Sequence, residues 1–128
     1  MAVGFAKRVF QIAGIWGLFI LSLAYAGYLL GLEGAAVDTA RPEFVHGFFL
    51  VTLAWQVAFL VIAADPLRYR PLMLVAMLEK LPFTLAVLML YANGQVAVTM
   101  LVLGLIDGVL GALFVAAYLR TDSSRQVA

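Results

Sequence analysis

The 128-residue sequence contains no cysteine and a single histidine, and only 12% of its residues are charged. Without cysteine there is no disulfide, no thiolate nucleophile and no cysteine-ligated zinc or iron–sulfur site. The charged fraction is about half that of a typical soluble domain and 66% of the residues are hydrophobic, which excludes both an ordinary soluble protein and a disordered chain. A formal net charge of +1 without a basic–aromatic patch excludes nucleic acid as a partner.

Named catalytic motifs are missing as well. The sequence has no Ser-His-Asp spacing, no phosphate-binding glycine loop and no helix with paired histidines. A metal site needs three or four ligands, and one imidazole with scattered carboxylates does not supply them. We therefore expect neither a metal nor a cofactor.

Four long apolar stretches dominate the chain, at about residues 9–32, 44–64, 72–91 and 96–119. A helix of about 20 residues crosses the roughly 30 Å hydrocarbon core of a bilayer. The sequence thus predicts one domain, an all-α membrane protein built as an antiparallel bundle of four transmembrane helices. Lys7 and Arg8 before the first stretch imitate a signal peptide, but the apolar run continues to Leu32, so we expect an uncleaved first span.

Lysine and arginine are distributed unequally between the two predicted sides. One side carries Lys7, Arg8, Arg68, Arg70, Arg120 and Arg125. The opposite side carries only Arg41. Basic residues favour the cytoplasmic side, so both termini and the second loop are predicted to be cytoplasmic, in the inner (plasma) membrane.

The third stretch is unusual because Glu79 and Lys80 lie in its middle. Its ten Leu, Val and Phe residues contribute roughly −3 to −6 kcal/mol to insertion, whereas two central charges cost roughly 5 to 7 kcal/mol. The span is near break-even alone, so its charges need partners elsewhere in the chain.

Asp107 is the predicted partner of Lys80. The turn at Asn93 and Gly94 makes the third and fourth spans neighbours, with Lys80 thirteen residues before Asn93 and Asp107 thirteen after Gly94. Equal rise on both sides predicts an ion pair at one depth. Glu79 is rotated by 100° from Lys80 around the helix axis, so we expect it to join this pair obliquely or to meet Gln56 or Thr52 of the second span.

Glycine and proline add predictions about helix packing. Gly104, Gly108 and Gly111 share the neighbourhood of Asp107 and would let another helix approach closely, and Gly27 with Gly31 forms a second small-xxx-small pair. Pro82 frees the carbonyl of Leu78, and the sequence leaves two arrangements open. A kink that faces the bundle would offer an acceptor to Lys80, a water or a bound polar group, whereas one that faces lipid would leave a costly unpaired carbonyl.

His46, Arg41 and Gln56 are secondary candidates. His46 falls in the first turn of the second span, where it is either a ligand or proton donor beside Arg41, or a solvated or capping residue. Gln56 lies near the centre of the same span and is a polar neighbour for the charged residues.

The layout resembles that of small uncharacterised bacterial four-helix integral membrane proteins. The shared features are the segment Asp65–Leu72, the Glu79-Lys80 pair and Asp107-Gly108. The resemblance implies a bacterial inner-membrane protein and no particular substrate.

Three classes of function remain open from the sequence. The first is a non-enzymatic membrane subunit, assembly factor or lipid-binding protein, in which Glu79, Lys80 and Asp107 form a structural or functional polar cluster. The second is a small proton- or cation-coupled transporter. The third is a membrane enzyme that acts on an apolar lipid, with Glu79 as acid or base. The expected partners are the lipid bilayer and a homodimer or larger membrane complex.

Overall fold

The computed structural model describes the backbone of residues 2–32 and 41–127 and the side chains of 2–32 and 41–121, and this part of the chain is helical. The helices are α1 (Ala2–Leu29), α2 (Pro42–Ala64), α3 (Arg70–Ala92) and α4 (Val98–Val127). Each contains a stretch long and apolar enough to cross a membrane. Residues 33–40, between the first two predicted spans, lie outside the described residues.

The helix ends follow from local chemistry. Pro42 and Pro71 stand in the first turns of α2 and α3, where a missing amide hydrogen breaks no helical bond. Gly31 and Gly94 have positive φ angles of 65° and 69° just after α1 and α3. The Leu32 amide donates to the Gly27 carbonyl over 3.0 Å, and the Gln95 amide donates to the Leu90 carbonyl over 2.9 Å. Each bond completes a Schellman motif at the preceding glycine. Gly94 thus ends α3 at the turn that the sequence predicts.

Two helices are longer than the predicted spans. α1 begins at Ala2 rather than at Val9, and α4 continues to Val127 rather than ending near residue 119. The length of an apolar stretch indicates how much of a helix could lie in a bilayer. The helix itself can continue beyond that stretch. Lysine and arginine are good helix formers, so charged residues at 7, 8, 120 and 125 do not interrupt the backbone.

α1 packs along α2 and α4, and α3 packs along α4, whereas α2 and α3 touch each other only sparsely. Three phenylalanine rings form the centre of the core. Phe10 stacks on Phe114 with ring centroids 4.3 Å apart, and Phe59 meets Phe114 edge-on at 5.0 Å. The remaining buried members of this core are Ala6, Val9, Ala13, Ile62, Ala63, Met73, Ala76, Leu110 and Ala117.

Arginine–aromatic contacts join three helix ends near this core. The Arg120 guanidinium lies 4.2 Å from the centroid of the Phe5 ring, and that of Arg70 lies 3.6 Å from the centroid of Tyr118. Arg70 also donates two N–H groups to the Tyr118 carbonyl at 3.3 Å. The starts of α1 and α3 therefore meet the end of α4. We call this the basic end, defined by Lys7, Arg8, Arg68, Arg70 and Arg120.

Large apolar side chains also cover the outside of every helix. Ile12, Phe44, Leu78 and Val109, one from each helix, are 62–69% exposed. Monomeric soluble proteins rarely expose apolar surface so extensively. Extensive apolar surface of this kind is typical of contact with a membrane or with another protein.

Candidate functional site

Three charged side chains meet where α3 packs on α4. The Lys80 ammonium donates a hydrogen bond to Asp107 Oδ1 over 3.0 Å and lies 3.3 Å from Glu79 Oε2. We call these three residues the charge cluster. The structure thus contains the ion pair that equal spacing predicts, and Glu79 approaches the same ammonium.

The three side chains of the charge cluster differ in solvent exposure: the cation is buried and the two anions are partly exposed. The Lys80 side chain is 5% exposed, compared with 16% for Glu79 and 21% for Asp107. The ammonium also lies 5.4 Å from the centroid of the Phe59 ring, in contact range of its negative face. Lys80 is therefore held by groups from three helices.

One ammonium serves two carboxylates, so the charge cluster has a formal charge of −1. Glu79 Oε2 is shielded from solvent and has no hydrogen-bond partner among the described residues. Its 3.3 Å contact with Lys80 is an ion contact without hydrogen-bond geometry. A buried acceptor of this kind keeps an unused capacity for a donor.

Three glycines bring α4 close to α3 around Asp107. An added Cβ would stand 2.7 Å from Val87 at Gly104, 2.9 Å from Thr84 at Gly108 and 2.6 Å from Leu81 at Gly111. These distances are too short for real Cβ atoms. The close approach, which the sequence spacing predicts, lets the lysine reach across to the aspartate.

Thr84 adds a link that the sequence argument missed. Its hydroxyl lies 2.9 Å from the Gly104 carbonyl on α4 and 3.1 Å from the Lys80 carbonyl one turn earlier. The available signal was its spacing, because a threonine four residues after Lys80 lies on the same face of the helix. Its position fixes the register of α3 on α4 beside the charge cluster.

Of the two arrangements expected for Glu79, the structure shows the one in which it joins the Lys80–Asp107 pair, and Gln56 makes a separate contact. Its side chain is fully buried against Gly17 of α1, and its Nε2 donates to the Thr52 carbonyl at 3.0 Å. The missing side chain at Gly17 makes the space that Gln56 occupies. Gln56 therefore packs α2 on α1, and the described contacts of Glu79 are with Lys80 instead.

Pro82 takes the outward-facing arrangement of the two that the sequence leaves open. Its side chain is exposed, and Leu78, whose carbonyl it frees, is 69% exposed. Both residues lie on the outer face of α3, so the freed carbonyl does not offer an acceptor to Lys80. The buried face of α3 is set by Lys80 and Met73, which are separated from Pro82 by large rotations around the helix.

The glycine pair near the end of α1 is also not a packing site among the described helices. No described atom comes within 4 Å of an added Cβ at Gly27 or Gly31. Gly31 instead supplies the left-handed conformation that ends α1. In α1, Gly14 and Gly17 make the close contacts, with Leu60 and Gln56.

His46 lies in an aromatic group on α1 and α2. Its Nδ1 is 2.7 Å from the Tyr25 hydroxyl, and its ring meets the edge of Tyr28. Arg41 is exposed and lies 4.0 Å from Glu43. Within residues 2–32 and 41–121, no three His, Asp or Glu side chains are placed to hold a metal ion.

A shallow apolar groove of about 320 Å³ runs along α4. It is lined by Val102, Leu105, Ile106, Val109 and Leu110. None of these residues carries a polar side chain, so the groove offers apolar contact only.

No protein family, curated protein or solved structure matches the chain. Function is therefore inferred from the charge cluster and from the distribution of charge and apolar surface.

Proposed function

We propose that the chain is an integral membrane protein in which four helices cross the bilayer as an antiparallel bundle. The exposed apolar side chains on all four helices support insertion. The order of contacts supports the antiparallel arrangement, because Gly104, Gly108 and Gly111 meet successively earlier residues of α3. Lys7 and the four arginines of the basic end favour a cytoplasmic location for that end, in the inner membrane of a bacterium.

The absence of cysteine makes this topology directly testable. Gln95→Cys marks the turn between α3 and α4, and Ser123→Cys marks the C-terminal region. In spheroplasts, a membrane-impermeant maleimide should label Gln95→Cys at once and Ser123→Cys only after permeabilisation, with the unsubstituted protein as the unlabelled control. Labelling of both, or the reverse order, would overturn the proposed orientation.

Within the membrane, we propose a non-enzymatic role as a structural subunit, assembly factor or lipid-binding protein. The observation that carries this proposal is the enclosure of Lys80 between two carboxylates supplied by α3 and α4. Helices in a bilayer gain little from apolar association, so polar contacts and small residues decide which helices pair. The charge cluster fits that task. The partners are the bilayer and other membrane subunits, including a second copy of this chain.

A proton- or cation-coupled carrier is the second candidate. It is supported by the partial exposure of Glu79 and Asp107 and by Glu79 Oε2, which contacts Lys80 as an ion but has no hydrogen bond among the described residues. Carriers commonly place ionisable residues in their membrane spans. Transport would require the Lys80–Asp107 pair to open during each cycle.

Proteoliposomes distinguish the two roles. A pH-sensitive dye inside the vesicles reports proton flux under an imposed Na⁺ or K⁺ gradient. The non-enzymatic role predicts the same flux as in protein-free vesicles. Gradient-dependent proton flux that is abolished in a folded Asp107→Asn variant would refute the non-enzymatic role and support the carrier. Gradient-dependent flux that this substitution leaves unchanged would refute Asp107 as the coupling residue.

A further inference from the structure

Positive charge is concentrated at the basic end to a degree that helix packing does not require. Five of the basic residues described by the structure lie there, and Lys7, Arg8 and Arg68 have exposed side chains. Asp65 is the one carboxylate in the adjoining turn, and its Oδ1 accepts the Arg68 amide at 3.1 Å. The basic end therefore presents a positively charged surface.

The aromatic contacts give this surface a defined shape. Phe5 and Tyr118 hold the planar guanidinium groups of Arg120 and Arg70 at 4.2 and 3.6 Å from their ring centroids. Tyrosine at the end of a membrane span is typical of headgroup depth, and Tyr118 contacts Arg70 here. The two arginines are thus fixed at the level where lipid phosphates lie, with Lys7 and Arg8 on the first turns of α1 nearby.

We propose that the basic end binds the headgroups of anionic phospholipids, so that the protein selects phosphatidylglycerol over zwitterionic lipid at its boundary. This inference rests on the proposed membrane insertion. Charge complementarity identifies the occupant, since arginine forms paired hydrogen bonds with phosphate and the anionic leaflet attracts basic residues beside a membrane span. Each such residue near the surface corresponds to about fivefold in affinity.

The experiment compares spin-labelled phosphatidylglycerol with spin-labelled phosphatidylcholine around the full-length protein in phosphatidylcholine vesicles. The fraction of each label that is motionally restricted by the protein gives their relative affinity. We expect a preference for phosphatidylglycerol that falls by up to about fivefold in Arg68→Gln and further in Lys7→Gln/Arg8→Gln. Arg41→Gln is the matched control, because it removes one exposed arginine outside the basic end.

Each outcome bears on a different claim. Absence of any preference in the wild type, or an equal loss in Arg41→Gln and Arg68→Gln, would overturn the proposed site. Loss of the preference when chloride is replaced by inorganic phosphate at equal ionic strength would identify a free-phosphate site and also overturn it. If neither lipid label is restricted, the protein is not inserted and the proposed membrane function itself fails.

Discussion

Replacing Lys80 with methionine should destabilise the protein more than replacing Asp107 with leucine. Lys80 contacts both carboxylates of the charge cluster, at 3.0 and 3.3 Å. Lys80→Met leaves two neighbouring anions and a formal charge of −2. Asp107→Leu leaves the Lys80–Glu79 contact and a formal charge of zero.

The structure sets the size of each effect. Removing one partner of a buried ion pair typically destabilises by about 3–5 kcal/mol, and Lys80→Met should fall in this range because Lys80 is 5% exposed. Asp107 is 21% exposed and its loss leaves Lys80 with a counter-ion, so Asp107→Leu should cost about 1–2 kcal/mol. The triple variant Glu79→Gln/Lys80→Met/Asp107→Leu contains no charge in the cluster and should lie within about 1–2 kcal/mol of the wild type.

Reversible unfolding in mixed detergent micelles measures these differences. Trp55 packs against the core and provides a fluorescence signal for its loss. Equal destabilisation by Lys80→Met and Asp107→Leu would refute the sharing of Lys80 by two carboxylates. A triple variant as unstable as Lys80→Met would show that the lysine stabilises the fold through contacts other than charge.

Two further predictions concern the helix contacts. Gly17→Ala should destabilise the protein by about 1–3 kcal/mol in the same unfolding assay, because its Cβ would overlap the buried Gln56 side chain. The control Gly27→Ala has open space around the added Cβ and should not destabilise the protein. Equal effects of the two substitutions would contradict the α1–α2 contact. Thr84→Val should lower the free energy of unfolding by about 0.6–1.7 kcal/mol through loss of the hydrogen bond to the Gly104 carbonyl. Unchanged stability would show that this hydrogen bond does not stabilise the protein.

The pairing of Lys80 with Asp107 was predictable because it depends on few variables. Gly94 fixes the end of α3, helical rise is constant, and equal counts on both sides of a short turn set equal depth. The sequence also marks Gly104 and Gly111 on the face of Asp107. Local rules therefore suffice for a contact between adjacent helices.

Contacts that depend on how a whole helix is rotated were less accessible to sequence reasoning. Helices that are apolar on all sides do not indicate which face is buried, so Gly17 and Gly27 look alike in the sequence although only Gly17 makes a close contact. The position of Gln56 against α1 and the outward direction of Pro82 depend on the rotation of whole helices. That rotation is decided by packing, which the local pattern does not encode.

The chain order of the charge cluster has a consequence for biosynthesis. In the membrane topology proposed above, Glu79 and Lys80 are synthesised before Asp107 and before the glycines that bring α4 close. α3 then has only marginal stability in lipid until the ribosome has delivered α4. The insertion machinery should therefore retain α3 and release it together with α4 as a single helical hairpin.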